Sequence, residues 1–193
     1  MTLRIIGGCR RGAHLHSPPG MDTRPLRDRV RESLFNILAP RLSGAVVLDA
    51  FAGSGAVGLE AVSRGAAHAV LVDSGADAAE TIRRNIAKLR FEDRAAVLRG
   101  AVPEALAKLP RTPGAFDLLF LMPPYHSALS DPVLASAHLA PRLAATALAV
   151  VEVHRDEPDP NVDPATWVLE DERAYGVTRL RFYRRQAATS TTP

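Results

Sequence analysis

Cysteine is nearly absent: Cys9 is the only one in 193 residues. That excludes a disulfide framework and any cysteine-rich zinc site. No apolar run approaches the roughly 18–20 residues of a membrane span. The opening Met1-Thr2-Leu3-Arg4 has no apolar signal core, so the expected compartment is the cytoplasm. There is no internal repeat, and low complexity is confined to 187–193, which is expected to be a disordered tail. What is present suits one ordinary domain, expected over residues 1–186: 47% hydrophobic and 23% charged residues support a buried core.

Charge is small overall and uneven along the chain. Lys and Arg number 24 against 21 Asp and Glu, for a net +3. Residues 1–42 alone carry eight arginines against Asp22, Asp28 and Glu32. Arg179, Arg181, Arg184 and Arg185 make the C-terminal end basic, whereas Asp156 to Glu172 is acidic. Basic segments at both ends point to an anionic partner, nucleic acid first. A solvated arginine-rich surface is the plain alternative.

Hydrophobic periodicity changes along the chain. Leu3 to Ile6 reads as a strand entering a turn, with residues 14–19 returning. Thr23-Arg24-Pro25 reads as a helix start, and Leu26, Val30, Leu34 and Leu38 form one apolar face that Pro40 ends. Arg24, Arg27 and Arg31 fall elsewhere on that helix, which predicts a cationic face. Residues 1–42 are therefore expected to be a basic hairpin and helix extension that faces the anionic partner. From residue 45 to 186 short apolar runs alternate with helical segments: strands at 45–48, 69–72, 95–98, 116–121 and 147–153, and helices after the first strand and at 76–90, 103–109 and 129–143. Trp167 to Leu169 and Val177 to Tyr183 close the chain, the latter alternating like a half-buried antiparallel strand. The expected fold is α/β: a doubly wound, mostly parallel sheet with an antiparallel last strand. Ligands of such folds bind outside the carboxyl ends of the strands, where the strand order reverses.

Two segments at those ends carry chemistry. Asp49-Ala50-Phe51-Ala52-Gly53-Ser54-Gly55-Ala56-Val57-Gly58 follows the first strand and satisfies G-x-G-x-x-G. Asp73 ends the second strand, where a carboxylate can accept both ribose hydroxyls. Asp49 at the turn would repel a pyrophosphate and suits a cationic sulfonium nucleoside. S-adenosylmethionine is thus the expected cofactor, with NAD(P) as the alternative. The second segment is Leu121-Met122-Pro123-Pro124-Tyr125.

Met122-Pro123-Pro124-Tyr125 resembles the (Asp/Asn)-Pro-Pro-(Tyr/Phe) loop of methyltransferases that act on exocyclic amino groups. Arg4-Ile5-Ile6-Gly7-Gly8, Thr23-Arg24-Pro25, the stretch from Asp28 to Asn36, the glycine turn and the closing Tyr175 to Tyr183 are together similar to the RsmD family of 16S rRNA guanine-N2 methyltransferases. The likeness spans about residues 3–184. It implies a class I, Rossmann-like methyltransferase acting on 16S rRNA or the assembled 30S subunit; separately, no metal is expected, and the chain is expected to be a monomer.

By resemblance, Asp49, Phe51, Ala52, Gly53, Ser54, Gly55, Asp73 and Ala101 would bind the cofactor. Met122, Pro123, Pro124 and Tyr125 would form the catalytic loop: the Pro123 carbonyl accepts an N–H of the target amino group, and the Tyr125 ring stacks on the extruded base. Arg10, Arg11, Arg24, Arg27 and Arg31 would contact RNA phosphates. Asn85 is expected to make a helix-to-loop hydrogen bond, and Glu152 matches a family position without a stated role. Cys9 is expected to be a small filler, and His14 and His16 to share one strand face.

Three positions depart from the family. Met122 replaces Asp or Asn with a thioether, a weak acceptor. Gly100-Ala101 stands where an acid usually approaches the adenine, and Leu26 replaces a Thr. Met122 leaves a second reading open: a catalytically weak or inactive RNA-binding homologue. A third keeps the enzyme and moves the target to adenine N6 in DNA.

Overall fold

The computed structural model describes residues 3–19 and 28–186. Thr23, Arg24, Pro25, Leu26 and Arg27, with the readings placed on them, lie outside the described residues, as does the tail 187–193.

One seven-stranded sheet organises the chain, in the order β3-β2-β1-β4-β5-β7-β6. The strands are β1 (Val46–Asp49), β2 (His68–Asp73), β3 (Ala95–Arg99), β4 (Phe116–Leu121), β5 (Leu143–His154), β6 (Trp167–Tyr175) and β7 (Thr178–Arg185). The first five run parallel, and β7 pairs antiparallel with β5 and β6. The continuous apolar runs are strands buried on both faces, as parallel strands must be. Odd and even residues of each strand feed two separate cores. Val47, Leu118, Phe120, Val150 and Phe182 lie on one face, and Leu48, Leu119, Leu121, Val151 and Tyr183 on the other.

Helices α1 (Asp28–Leu42), α2 (Ala56–Ser63) and α3 (Ala76–Leu89) contribute Leu34, Leu59 and Ile82 to the first core. The second is closed by α4 (Ser130–Leu134), Leu106 and Trp167. Successive strands β1, β2 and β3 step outward, and the chain then returns to place β4 on the other side of β1. That reversal opens a crevice between the carboxyl ends of β1 and β4.

The N-terminal hairpin forms as expected, with Leu15 N–H donating to the Leu3 carbonyl (2.9 Å) and Ile5 N–H to Ala13 (2.9 Å). Its anchor is Glu60, wholly buried in α2. One carboxylate oxygen accepts the Ile6 N–H and the other the Gly7 N–H, both at 2.7 Å, while Arg64 donates from Nε at 2.7 Å.

Several expectations need correction. Pro40 does not stop α1, which runs on to Leu42. In the last turn a proline removes only the bond to the Asn36 carbonyl, and Asn36 is exposed to water. The helix expected over 129–143 is only five residues long, with a 3-10 turn at Ala140–Arg142. Pro141 sits in that turn, and β5 starts early because Leu143 already pairs with Phe116. The segment 103–109 is a 3-10 turn, Glu104–Lys108. Cys9 is exposed rather than filling space.

Arg31 is the largest correction. It is fully buried rather than on a cationic face, and its guanidinium donates to the Arg4 carbonyl (2.5 Å) and to Asp28 (3.1 Å). It ties α1 to the hairpin and is out of reach of a phosphate.

Candidate active site

The glycine turn is held from below by two carboxylates. Asp49, at the end of β1, is buried and accepts the Gly58 N–H at 2.9 Å. Burial pushes its pKa up to about 7; the Gly58 hydrogen bond opposes the rise and the negative charge of Asp73 adds to it. Gly58 lies so close over this acid that a Cβ there would sit 3.3 Å from the Asp49 Cβ and 3.0 Å from Leu71. Gly53 and Gly55 take left-handed conformations, φ +55° and +79°, which turn the chain sharply from β1 into α2.

Asp73 ends β2 and joins two loops. One oxygen accepts the Gly53 N–H and the other the Gly75 N–H, each at 2.8 Å. A carboxylate has about four lone-pair sites, so Asp73 keeps acceptor capacity toward the crevice that it lines. Asn85 braces the turn from α3. Its amide nitrogen donates to the Ser54 carbonyl (2.9 Å) and the His16 carbonyl (3.0 Å), and its oxygen accepts the His16 N–H (2.8 Å). This is the helix-to-loop bond expected of it, and it also pins the hairpin strand beside the glycine turn.

The crevice encloses about 700 Å³. Phe51, Gly53, Asp73, Ala101, Met122, Pro123, Pro124 and Tyr125 all line it, so the glycine turn and the Pro-Pro-Tyr loop share one cavity. Asp49, Ala52, Ser54 and Gly55 do not line it; they are buried behind that wall. The rest of the lining is Ala50, Ser74, Gly100, Val102, Leu129 and Glu152. Among the described residues the lining holds two acids and no lysine or arginine. A pocket of that charge suits a cationic or neutral nucleoside better than a pyrophosphate.

Glu152 matches a family position to which the sequence attaches no role. It follows the apolar run Leu148–Val151 on β5. The Tyr125 hydroxyl donates to Glu152 Oε1 at 2.7 Å and lies 2.7 Å from Thr178 Oγ1. Burial raises the Glu152 pKa above the ordinary value; the Tyr125 hydrogen bond opposes this and Glu157 adds to it. The readable signal is an acid closing an apolar strand, a costly placement unless it is used. The Tyr125 ring meets His154 edge-on at 5.2 Å.

The expected RNA contacts divide. Arg11 is exposed at the hairpin tip. Arg10 is half-buried, donating from Nε to the Leu89 carbonyl (2.7 Å) and lying over the Phe91 ring. Arg24 and Arg27 lie outside the described residues, and Arg31 is the buried tie already described. His14 is exposed, and His16 is held at its backbone by Asn85.

Residues 3–184 match the family described as Conserved hypothetical protein 95. The chain belongs to this family, the RsmD family. Ribosomal RNA small subunit methyltransferase D of Escherichia coli K12 is 38% identical over 185 residues, 96% of this chain and 91% of that protein. The solved structure of yhhF from Escherichia coli, described as a candidate methyltransferase, superposes with a TM-score of 0.80 at 38% identity, covering 97% of this chain and 99% of that one. A more distant structure, the methyltransferase candidate SMU.776 complexed with SAH, has a TM-score of 0.64 at 12% identity over 80% of this chain and 49% of that one. It speaks for the fold alone. The sheet order is that of the class I methyltransferase fold.

Proposed function

We propose that this RsmD-family chain transfers a methyl group from S-adenosylmethionine to the N2 amino group of a guanine in 16S rRNA of the small subunit. The observation that carries the reading is the single crevice in which Asp73 and the glycine turn face the Pro-Pro-Tyr rim. Identity to the small-subunit methyltransferase of Escherichia coli supports the substrate class. The cofactor supplies an electrophilic methyl group on a sulfonium.

The chain's residues do the remainder. Asp73 accepts the ribose hydroxyls, and Phe51, Ala101 and Val102 offer an apolar slot for a base. Asp49 and Asn85 keep the turn in shape from behind. On the acceptor side, the Tyr125 ring stacks against the extruded guanine, with its hydroxyl fixed by Glu152 and Thr178. The Pro123 carbonyl accepts an N–H of the target amino group, and two prolines hold that carbonyl in place. The guanine amino lone pair is delocalised into the ring, and acceptors that draw the N–H bonds out of plane localise it. Arg11 approaches the RNA backbone, which positions the substrate without reading its sequence. The chain acts as a cytoplasmic monomer on 16S rRNA or the assembled 30S particle.

The test is incubation with methyl-labelled cofactor and undermethylated 30S particles, followed by nucleoside analysis. Label in N2-methylguanosine is the expected result. No label from either the native chain or Met122→Asp would reject the enzyme and leave a non-catalytic RNA-binding protein. In a parallel incubation with DNA, label in N6-methyldeoxyadenosine and none in the particle would move the target base.

A further inference from the structure

We infer that Glu152 is the side-chain acceptor for the target amino group, taking the place of the carboxylate or amide that Met122 lacks. The inference rests on the reading of the crevice as an amino-methyltransferase site.

The sheet register brings the two positions together. In the parallel β4–β5 ladder Leu121 pairs with Val151, so Met122 and Glu152 are the next residues along neighbouring strands. Parallel strands lie about 4.8 Å apart, and paired residues point to the same face. The face is fixed by packing: Phe120 and Val150, two residues earlier on each strand, share one core, and Met122 packs against it. Glu152 thus projects beside the Met122 side chain, and both line the cavity with Pro123 and Tyr125.

The carboxylate also has capacity to spare. Tyr125 occupies Oε1, and Oε2 accepts no hydrogen bond from any described residue. Glu60, which anchors the hairpin, has both oxygens matched instead. Burial gives Glu152 a raised proton affinity, which suits an acceptor that first takes a hydrogen bond and then the proton. In the step, the guanine N2 lone pair forms the new N–C bond. The methyl C–S bond breaks with its electron pair left on sulfur. The proton shed by N2 passes to Glu152 Oε2 and from there to water.

The experiment compares native protein, Glu152→Gln, Tyr125→Phe and Met122→Asp in single turnover on undermethylated 30S particles. S-adenosylhomocysteine affinity is measured by calorimetry, and particle retention on filters, for each variant. Glu152→Gln is expected to lose on the order of 10²-fold in rate while binding the nucleoside and the particle as the native chain does. Tyr125→Phe, which spares the carboxylate, is expected to lose less than about tenfold. Met122→Asp is expected to gain less than about fivefold, because an acceptor is already in place.

Three results overturn the inference: Glu152→Gln within threefold of native, Tyr125→Phe as damaging as Glu152→Gln, or a gain on the order of 10² from Met122→Asp. The Met122→Asp arm holds even if the Glu152 variant fails to fold. A failure of the methyltransferase reading itself looks different: no variant, native included, labels guanine.

Discussion

Asp49→Asn should make the ligand-free protein more stable at neutral pH. Asp49 has an ordinary pKa of 3.8 raised to about 7 by burial in the fold. Below pH 4 the group is protonated whether the chain is folded or not, and contributes nothing to the balance. Between pH 4 and 7 the folded state keeps a proton that the unfolded state has released. Each pH unit upward then favours unfolding by about 1.4 kcal/mol. Above pH 7 both states are ionised and the slope ends. Across that gap the cost amounts to roughly 4 kcal/mol at pH 8.

Asparagine keeps an oxygen for the Gly58 N–H and carries no charge, so it escapes this cost. Urea unfolding of native and Asp49→Asn protein, from pH 4.5 to 8.5, isolates the group from all other titrations. The variant should match the native chain at the acid end and exceed it by about 3–4 kcal/mol at pH 8. That corresponds to about 2–4 °C in Tm for each kcal/mol. Parallel curves for the two proteins would refute a raised pKa at Asp49.

Glu60→Ala should cost about 3–5 kcal/mol, because it strands the Ile6 and Gly7 N–H groups and leaves Arg64 without its buried partner; a loss under 1 kcal/mol in urea unfolding would mean the hairpin is held by other contacts. Asp73→Ala should weaken S-adenosylhomocysteine binding at least about tenfold by calorimetry, and unchanged affinity would remove the ribose role assigned to this acid.

Much of the fold was legible because its signals are local. Strands such as β1, β2 and β4 are buried on both faces, so each is an uninterrupted apolar run. Gly53 and Gly55 advertise a left-handed turn that few other residues could make, and Asp73 stands where a strand must end. The stretch 129–143 misled because Val133, Leu134 and Leu139 mimic helical spacing. Their burial against the second core is real, yet Pro141 and the early pairing of Leu143 cut the helix to one turn. Arg31 misled for a different reason. On a helix it reads as a surface cation, and its burial is offset by Asp28 one turn back and by the Arg4 carbonyl, brought from 27 residues away. Glu60 is equally opaque, since beyond Arg64 one turn on its partners are backbone groups 53 and 54 residues distant.

The buried and half-buried acids sort into two kinds, and the difference separates fold from function. Glu60 has a cation and two N–H groups, one or more for each oxygen, and stabilises the hairpin that covers α2. Asp49 has a single N–H against complete burial, and Glu152 a single hydroxyl. Among the described residues neither has a cation to offset its desolvation, and burial raises the pKa of both. An acid held this way weakens the free protein, so a purely structural role would be served better by an amide. Both lie at the carboxyl ends of β-strands, Asp49 behind the crevice wall and Glu152 in its lining. Of the two, Glu152 faces the cavity, whereas Asp49 shapes the wall behind it.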